Sequence, residues 1–379
     1  MEDRPNPINE KIEKQLQKLQ DKIEIKLVLE KEEIIKKAKE RKKLYIKLGK
    51  KREIPNIKLR GLQPDMNSII NPILFCMANL DIITEFILSD EKQEILNKFP
   101  DNNNFIRNFN DLMVDIRDNV IISPSFDKMH EYIRTWMNET YQSQDPKFII
   151  NSCLSKLDEE IKLAQVDKRN KFSNLIQDYF SFTLITTKTC VNYYQSLNEE
   201  EKKVEKKKCI IIDLFLGDSV LSSAVDFEDN FRDLLLPKDA NNNFKESCSL
   251  CNGKMILSKS VENLKKYLII NINIEKESKD LFQLKYSSLK LKGVDNKDNN
   301  FELISALCDI NTNTGNIEQN ELKKINEKNG KNFKIFFKNF INDKWYRKLD
   351  SDAEMLQRDD IEEEIRDYKP NILIYKRVK

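Results

Sequence analysis

Residues 61–88 read GLQPDMNSIINPILFCMANLDIITEFIL, and this stretch decides how the rest of the chain is interpreted. Its polar start contains Pro64 and Asp65, and an almost unbroken apolar run follows. Asp is a preferred N-cap residue. The stretch therefore predicts one long apolar helix from Asn67 to about Leu88, with Pro64 just outside it.

The overall composition narrows the class of protein. The chain has 379 residues, of which 34% are charged and 39% hydrophobic, and its formal net charge is +2. This supports a packed core and argues against a polycation or an acidic tail. We see no apolar run of about 18 residues and no signal-peptide pattern at the start. Seven cysteines, an odd number, favour reduced thiols. We therefore expect a nuclear or cytoplasmic protein that does not bind a membrane.

The single histidine limits the chemistry. Any mechanism that needs histidine as a general base must use His130. Its surroundings, SFDKMHEYIRTWMNETY, predict an amphipathic helix. A lone histidine on such a helix is usually structural or solvated, so we interpret His130 as non-catalytic.

Residues 1–56 are predicted to form a long, basic, coiled-coil-like helical arm. Four apolar residues follow the spacing of a coiled-coil seam: Ile12, Leu16, Leu19 and Ile23. A basic run comes next, and five of its residues are candidates for partner binding: Lys42, Lys43, Lys50, Lys51 and Arg52. A solvated helix face is the commoner explanation of such a run. The alternative is an arm that docks on RNA or on an acidic protein surface.

The remainder, residues 57–379, changes character near residue 180. Helical patterns are predicted at about 105–118, 125–140, 145–163 and 172–180. From 181 onward, short β-branched or alternating runs are separated by polar loops. A helical half followed by a strand-rich half predicts an α+β fold. We find no glycine-rich phosphate loop and no convincing pair of carboxylates.

Several motifs, in order, resemble the ubiquitin-specific protease family of cysteine isopeptidases (peptidase C19). The GL at 61–62 and the MNS at 66–68 match the two ends of the family box Gly-Leu-x-Asn-Leu-Gly-Asn-Thr-Cys-Tyr-Met-Asn-Ser. The intervening segment is shortened, so the nucleophile position falls on Pro64. YQSQDPKFIINSCLSKLDEEI at 141–161 resembles the family's Gln-Gln-Asp-Ala helix.

The C-terminal third continues the resemblance. NGKNFKIFFKNFINDKWYRKLDSD at 329–352 is similar to the family's Gly-Gly-His-Tyr and Trp-Tyr-x-Phe-Asp-Asp motifs. The histidine position aligns with Asn332, and the catalytic acid position aligns with Asp350. NILIYKRV resembles the family's final strand.

The resemblance also implies a zinc site. The family carries two Cys-x-x-Cys pairs in its fingers. Here Cys248 and Cys251 form an intact pair, whereas Cys190 has Tyr193 in place of its mate. Structural zinc usually has four ligands. Three thiolates would bind zinc weakly, unless Cys209 moves in as the fourth ligand. The alternative, which we expect, is a metal-free finger held by packing.

The resemblance implies a papain-like fold with a helical thumb at about 61–180 and fingers and palm at about 181–379. A cysteine isopeptidase needs a thiolate and a histidine. Pro64 has no nucleophile, Asn332 cannot exchange a proton, and Asp350 has no ring to orient. Cys76 lies eleven residues past Asp65, roughly 16 Å along a helix, which is too deep to substitute.

We therefore expect a catalytically inactive family member that acts as a scaffold subunit of a larger protein assembly, for example a spliceosomal ribonucleoprotein. The alternatives are an adaptor that binds ubiquitin without cleaving it and, less favoured, an active deubiquitinase.

Overall fold

The computed structural model describes the chain from residue 64 onward, with gaps. The described residues are 64–87, 89–99, 104–118, 124–137, 145–164, 171–190, 203–216, 231, 235, 247–248, 252–274, 288–292, 298–309, 333–340, 343–349, 352–356, 361–366 and 368–378. The predicted arm at 1–56, with its five basic candidates, lies outside them. So do Asn332, Asp350 and Cys251.

Helices come first and strands follow, which confirms the α+β prediction. The helices before the first strand are α1 (Pro64–Ala78), α2 (Asp81–Ile87), α3 (Asp90–Lys98), α4 (Phe105–Asp118), α5 (Pro124–Met137), α6 (Pro146–Leu163) and α7 (Leu175–Tyr179). The later elements are β1 (Phe182–Cys190), β2 (Lys203–Cys209), β3 (Ile211–Leu216), β4 (Met255–Glu262), β5 (Tyr267–Ile274), β6 (Ser288–Lys292), β7 (Asp298–Asp309), β8 (Phe333–Lys338), β9 (Trp345–Leu349), β10 (Asp352–Leu356), α8 (Ile361–Arg366) and β11 (Lys369–Arg377).

The predicted single helix over residues 67–88 is wrong, because α1 and α2 are separate helices. Their axes meet at 79°. Pro64, predicted to lie outside the helix, is the first residue of α1, where a missing N–H removes no intrahelical bond. Pro72 lies inside α1 and not in its first turn.

Side chains around the break explain why α1 ends. Asn79 Nδ2 donates to the Phe75 carbonyl at 2.9 Å, and Thr84 Oγ1 donates to the Ala78 carbonyl at 3.2 Å. The Phe75 carbonyl also accepts the Asn79 backbone N–H at 3.1 Å, so the Asn79 side chain adds a second bond there. Ala78 is the last residue of α1, and Thr84 gives its carbonyl a partner that the helix cannot supply. The apolar pattern in the sequence continues across this point, so periodicity alone did not reveal it.

Asp81, the first residue of α2, anchors the bend to the sheet. Its carboxylate accepts hydrogen bonds from Lys266 Nζ and Lys376 Nζ, each at 3.1 Å, and from the Tyr267 hydroxyl. These donors lie at the start of β5, just before it, and near the end of β11. One carboxylate therefore ties α2 to two central strands.

The main sheet has eight strands in the part of the chain that the structure describes. Seven follow the order β10-β9-β8-β7-β11-β5-β3, and β6 pairs with β7 beyond this path. β3 and β5 are parallel, and the other pairs are antiparallel. Residues of β5 alternate between two hydrophobic clusters. Tyr267 and Ile269 pack with the helices, and Leu268 and Ile270 pack on the opposite face. The sheet is therefore buried on both faces at its centre.

A second sheet has three strands in the order β2-β1-β4. The run KKCIIIDLFL at 207–216, one of the β-branched runs after residue 181, predicts a single strand. The chain instead leaves β2 at Cys209, turns at Ile210 and enters the main sheet as β3. The Lys-rich part of this run thus belongs to one sheet and its apolar part to the other.

Among the described residues, no single helix has the length and apolar character of a membrane span. The two helical segments 69–78 and 81–87, taken together across their bend, have the length and composition of such a span, and this rests on length and composition only.

Candidate functional site

The strands β8 and β9 are neighbours in the sheet, and the predicted histidine and acid positions of the family adjoin them in the sequence. β8 begins at Phe333 and β9 ends at Leu349, and the two strands are antiparallel. Their start and end therefore lie at the same end of the sheet. In the sequence, Asn332 directly precedes Phe333 and Asp350 directly follows Leu349. Both are outside the described residues, so their side chains carry no structural argument.

The helix α1 packs against β8, and the ring contact lies near the far end of that strand from Phe333. The Phe75 and Phe337 rings meet edge to face with centroids 4.8 Å apart, which joins α1 to β8. Pro64 lies at the first position of α1. A helix N-terminus stabilises an anion such as a thiolate. Proline brings neither a thiol nor a backbone N–H to that position.

Cys76 is the one thiol of α1, and it is sealed in the core. It is 3% exposed, and its Sγ lies 3.3 Å from Ser305 Oγ. Ser305 Oγ donates its own proton to the Phe336 carbonyl at 3.0 Å, so the thiol is the donor to Ser305. Burial raises the pKa of Cys76 to about 12. At neutral pH this group is a protonated thiol, which is a poor nucleophile.

His130 on α5 contacts a different part of α1. Its Nε2 lies 2.6 Å from Asn71 Oδ1, and because a carbonyl oxygen can only accept, Nε2 carries the proton. Burial, with the nearby Arg134 charge, lowers the pKa of His130 to about 4. Asn71 precedes Cys76 by five residues, a rise of roughly 7.5 Å along the helix. The imidazole is therefore neutral and bonded to an amide.

Two of the candidate zinc ligands, Cys190 and Cys248, lie close together. Cys190, at the end of β1, pairs in register with Met255 on β4. These two residues and Cys248 form a small buried cluster. The second sheet thus brings two of the three candidate zinc ligands to one place.

A tight turn follows Cys248. Its backbone N–H donates to the Gly253 carbonyl, and its carbonyl accepts from the Asn252 N–H, both at 2.9 Å. Asn252 has φ 53°, a left-handed conformation that asparagine tolerates. Cys251 lies outside the described residues. Within the described part of the chain, no group of three His, Cys, Asp or Glu side chains could hold a metal ion.

Comparison with known proteins now identifies the domain. Residues 61–375 match the family model of ubiquitin carboxyl-terminal hydrolase. The chain belongs to the ubiquitin carboxyl-terminal hydrolase family. The resemblance deduced from the motifs is confirmed. No curated protein matches the chain.

Solved structures of the Ubp8 deubiquitinase from the SAGA complex share the fold of this hydrolase-family chain. One, described as the SAGA DUB module with Ubp8, Sgf11, Sus1 and Sgf73 bound to monoubiquitin, is 14% identical with a TM-score of 0.61, covering 86% of this chain and 70% of that chain. A second, bound to ubiquitin aldehyde, is 14% identical with a TM-score of 0.60, covering 86% and 71%. A third, of the yeast module, is 14% identical with a TM-score of 0.57, covering 86% and 70%.

At these identities the similarity establishes the fold alone, and the predicted fold is confirmed. The predicted roles of Pro64, Asn332, Asp350 and the basic arm remain predictions. Sequence reasoning did not find the contacts Cys76–Ser305 and His130–Asn71, because each joins residues that are distant in the sequence.

Proposed function

We propose that this member of the hydrolase family is catalytically inactive and serves as a scaffold subunit of a larger protein assembly in the nucleus or cytoplasm. The observation that carries the proposal is the state of Cys76, which is buried, protonated and bonded to Ser305. It adds to the loss of the nucleophile and histidine at the positions of Pro64 and Asn332.

The required chemistry shows why these features argue against catalysis. A cysteine isopeptidase needs a thiolate next to an imidazole that accepts its proton and later protonates the leaving amine. In this chain the helix-start position carries proline, and the imidazole of His130 is engaged with Asn71. The chain keeps the fold of the family, while the residues at the predicted catalytic positions cannot perform the reaction. This combination favours a role in protein contacts.

We expect no covalent labelling of the purified chain by a ubiquitin probe with a C-terminal electrophile. We also expect no release of a fluorophore from a ubiquitin conjugate above the buffer rate. An active family member is the positive control, and Cys76→Ala is the matched variant. Labelling of the unmodified chain that is lost in Cys76→Ala would show that the chain is an active enzyme, and it would overturn this proposal.

An adaptor that binds ubiquitin without cleaving it is the second candidate. The matched structures favour it, because two of them are described as bound to monoubiquitin or ubiquitin aldehyde. The same structures favour a scaffold role, because their descriptions include three further proteins, Sgf11, Sus1 and Sgf73. Retention on ubiquitin resin would support the adaptor, and stable co-purification with other subunits without retention would support the scaffold.

RNA binding by the basic arm stays a prediction from sequence. The residues concerned lie outside the described ones.

For the finger, we propose that packing and not zinc holds the second sheet together. The described residues of the cluster are two cysteines and Met255, fewer ligands than structural zinc takes. Cys209 pairs with Phe182, at the opposite end of β1 from Cys190. We expect EDTA to leave the melting temperature of the purified chain unchanged. Because zinc binding adds directly to folding free energy, a fall of several degrees with EDTA, reversed by added zinc, would contradict this.

A further inference from the structure

The strand β2 (Lys203–Cys209) forms an exposed edge. Its first six residues are exposed, and it pairs on one side with β1. Among the strands that the structure describes, no other pairs with β2. Its outer edge therefore presents backbone N–H and C=O groups over seven residues, or about 23 Å. Such an edge is a template for another extended chain.

The charge of β2 is strongly positive. Its sequence, KVEKKKC, contains four lysines and one glutamate. Because side chains alternate along a strand, Lys203, Glu205 and Lys207 share one face. Lys206 and Lys208 lie on the other, where Lys206 Nζ is 3.9 Å from Glu262.

Neighbouring strands add charge to the face that carries Lys203 and Lys207. Lys188 on β1 lies directly opposite Lys203. Lys259 on β4 lies opposite Thr186, which itself lies opposite Glu205. This face of the sheet therefore holds four lysines against one glutamate.

An exposed apolar residue lies within this basic edge. Val204 is 50% exposed, and few large hydrophobic side chains of the described residues are so exposed. A β-branched residue on an open edge strand suits packing against an added strand.

Lysines on an edge strand prevent pairing with an identical strand, because like charges would face each other. This protection against self-pairing explains part of the lysine content of β2. The same charges, however, make the edge complementary to a strand of opposite sign. The edge thus discriminates by charge among the segments that could add to it.

We propose that β2 is the docking edge for an acidic, extended segment of a partner protein, which adds as a fourth strand to the second sheet. Backbone hydrogen bonds along β2 supply affinity, and carboxylates opposite the lysines supply specificity. This inference goes beyond the proposed function and does not depend on whether the chain cleaves ubiquitin conjugates.

A protein segment fits this surface better than a nucleic acid does. Single-stranded nucleic acids are held by aromatic side chains on which bases stack, in addition to basic residues. The described residues of the three strands include one aromatic, Phe182, which is buried. Exposed stacking platforms are therefore absent from these strands as described.

The test uses the full chain and a fluorescein-labelled peptide of alternating Glu and Thr, about ten residues long, with binding followed by anisotropy. We expect saturable binding that weakens as salt is raised. The double variant Lys203→Glu/Lys207→Glu makes one face of β2 acidic, and we expect it to weaken binding at least about tenfold. Both residues are exposed, so the fold is retained, as circular dichroism would verify.

Two controls separate strand addition from simple charge attraction. The variant Lys128→Glu/Arg134→Glu makes the same charge change at exposed positions of α5, and we expect unchanged binding. A peptide of the same sequence with alternate backbone nitrogens methylated keeps its charge but cannot complete the ladder, and we expect it to bind at least about tenfold more weakly. Equal binding of the methylated peptide, or tighter binding of an oligouridine of similar length, would overturn the proposal.

Discussion

Replacing Glu160 by alanine lowers the free energy of unfolding by about 4 kcal/mol. Glu160 lies on α6 and is 3% exposed. Its carboxylate oxygens accept the backbone N–H groups of Phe105 and Ile106 at 2.8 and 2.9 Å, and Oε1 also lies 3.2 Å from the Tyr132 hydroxyl.

The size of the effect follows from what the carboxylate satisfies. Phe105 and Ile106 are the first two residues of α4, whose N–H groups have no acceptor within the helix. Removing the carboxylate leaves both donors buried without that acceptor, and each such donor costs about 1–3 kcal/mol. The helix dipole adds to the attraction, because the N-terminus of α4 favours a negative charge.

Urea unfolding at neutral pH measures the effect, and the neighbouring Glu159 is the matched control. Glu159 is exposed and pairs with Lys156 at 3.1 Å, an i,i+3 pair on the same helix. We expect Glu159→Ala to change the free energy of unfolding by at most about 0.5 kcal/mol. Glu160→Gln keeps one acceptor oxygen, so an intermediate loss is expected. Equal losses for the two alanine variants would show that the α4 contact does not stabilise the fold.

Lowering the pH from 7.5 to 5 reduces the free energy of unfolding by about 2 kcal/mol through His130 alone. Burial and the Arg134 charge depress the pKa of His130 to about 4, against 6.5 for an unperturbed imidazole. Between these values the unfolded chain binds a proton that the folded chain does not. The titration of His130 therefore has little effect on the free energy of unfolding above pH 6.5. Below that pH it lowers the free energy of unfolding progressively, until the pH reaches about 4.

Urea unfolding as a function of pH measures this contribution, and the variant His130→Gln isolates it. Glutamine has an N–H donor for Asn71 Oδ1 but does not titrate. Because the chain has a single histidine, the difference between the two pH profiles reports this one group. We expect the variant to lose less stability over the same interval, by about 2 kcal/mol. Parallel profiles would show that His130 protonates in the folded state near its ordinary pKa.

Most element positions were predictable where a local signal is strong. The helices at 105–118 and 145–163 were anticipated almost to the residue, because their apolar spacing is regular and Asp145 caps α6 by accepting the Lys147 N–H at 3.0 Å. The strands β5, β7 and β11 are apolar runs between polar loops. Such signals depend on neighbours in the sequence, which is why a single chain suffices to show them.

Other elements were missed because a tertiary contact or an opposing propensity decides them. β2 was not predicted as a separate strand, since lysine and glutamate are depleted in strands and the run resembles a solvated charge cluster. The break between α1 and α2 involves local bonds of Asn79 and Thr84. It also depends on Lys266 and Lys376, which reach Asp81 from two distant parts of the chain.

For the candidate site, alignment with the family motifs predicts the positions Pro64, Asn332 and Asp350, and this stays a prediction. The structure supplies the surroundings of Cys76 and His130. Only the fold showed that Cys76 bonds to Ser305 and that His130 bonds to Asn71.

The sequence by itself determined the order of the elements and the family, and it predicts proline and asparagine at the family's nucleophile and histidine positions. The tertiary structure alone decided which of two adjacent glutamates is buried: Glu159 faces solvent beside Lys156, and Glu160 caps α4. The two residues have the same chemistry and neighbouring positions. They differ only in the surroundings that packing gives them. Adjacent residues of a helix are rotated by about 100° around its axis, which turns Glu159 to the solvent and Glu160 to the core.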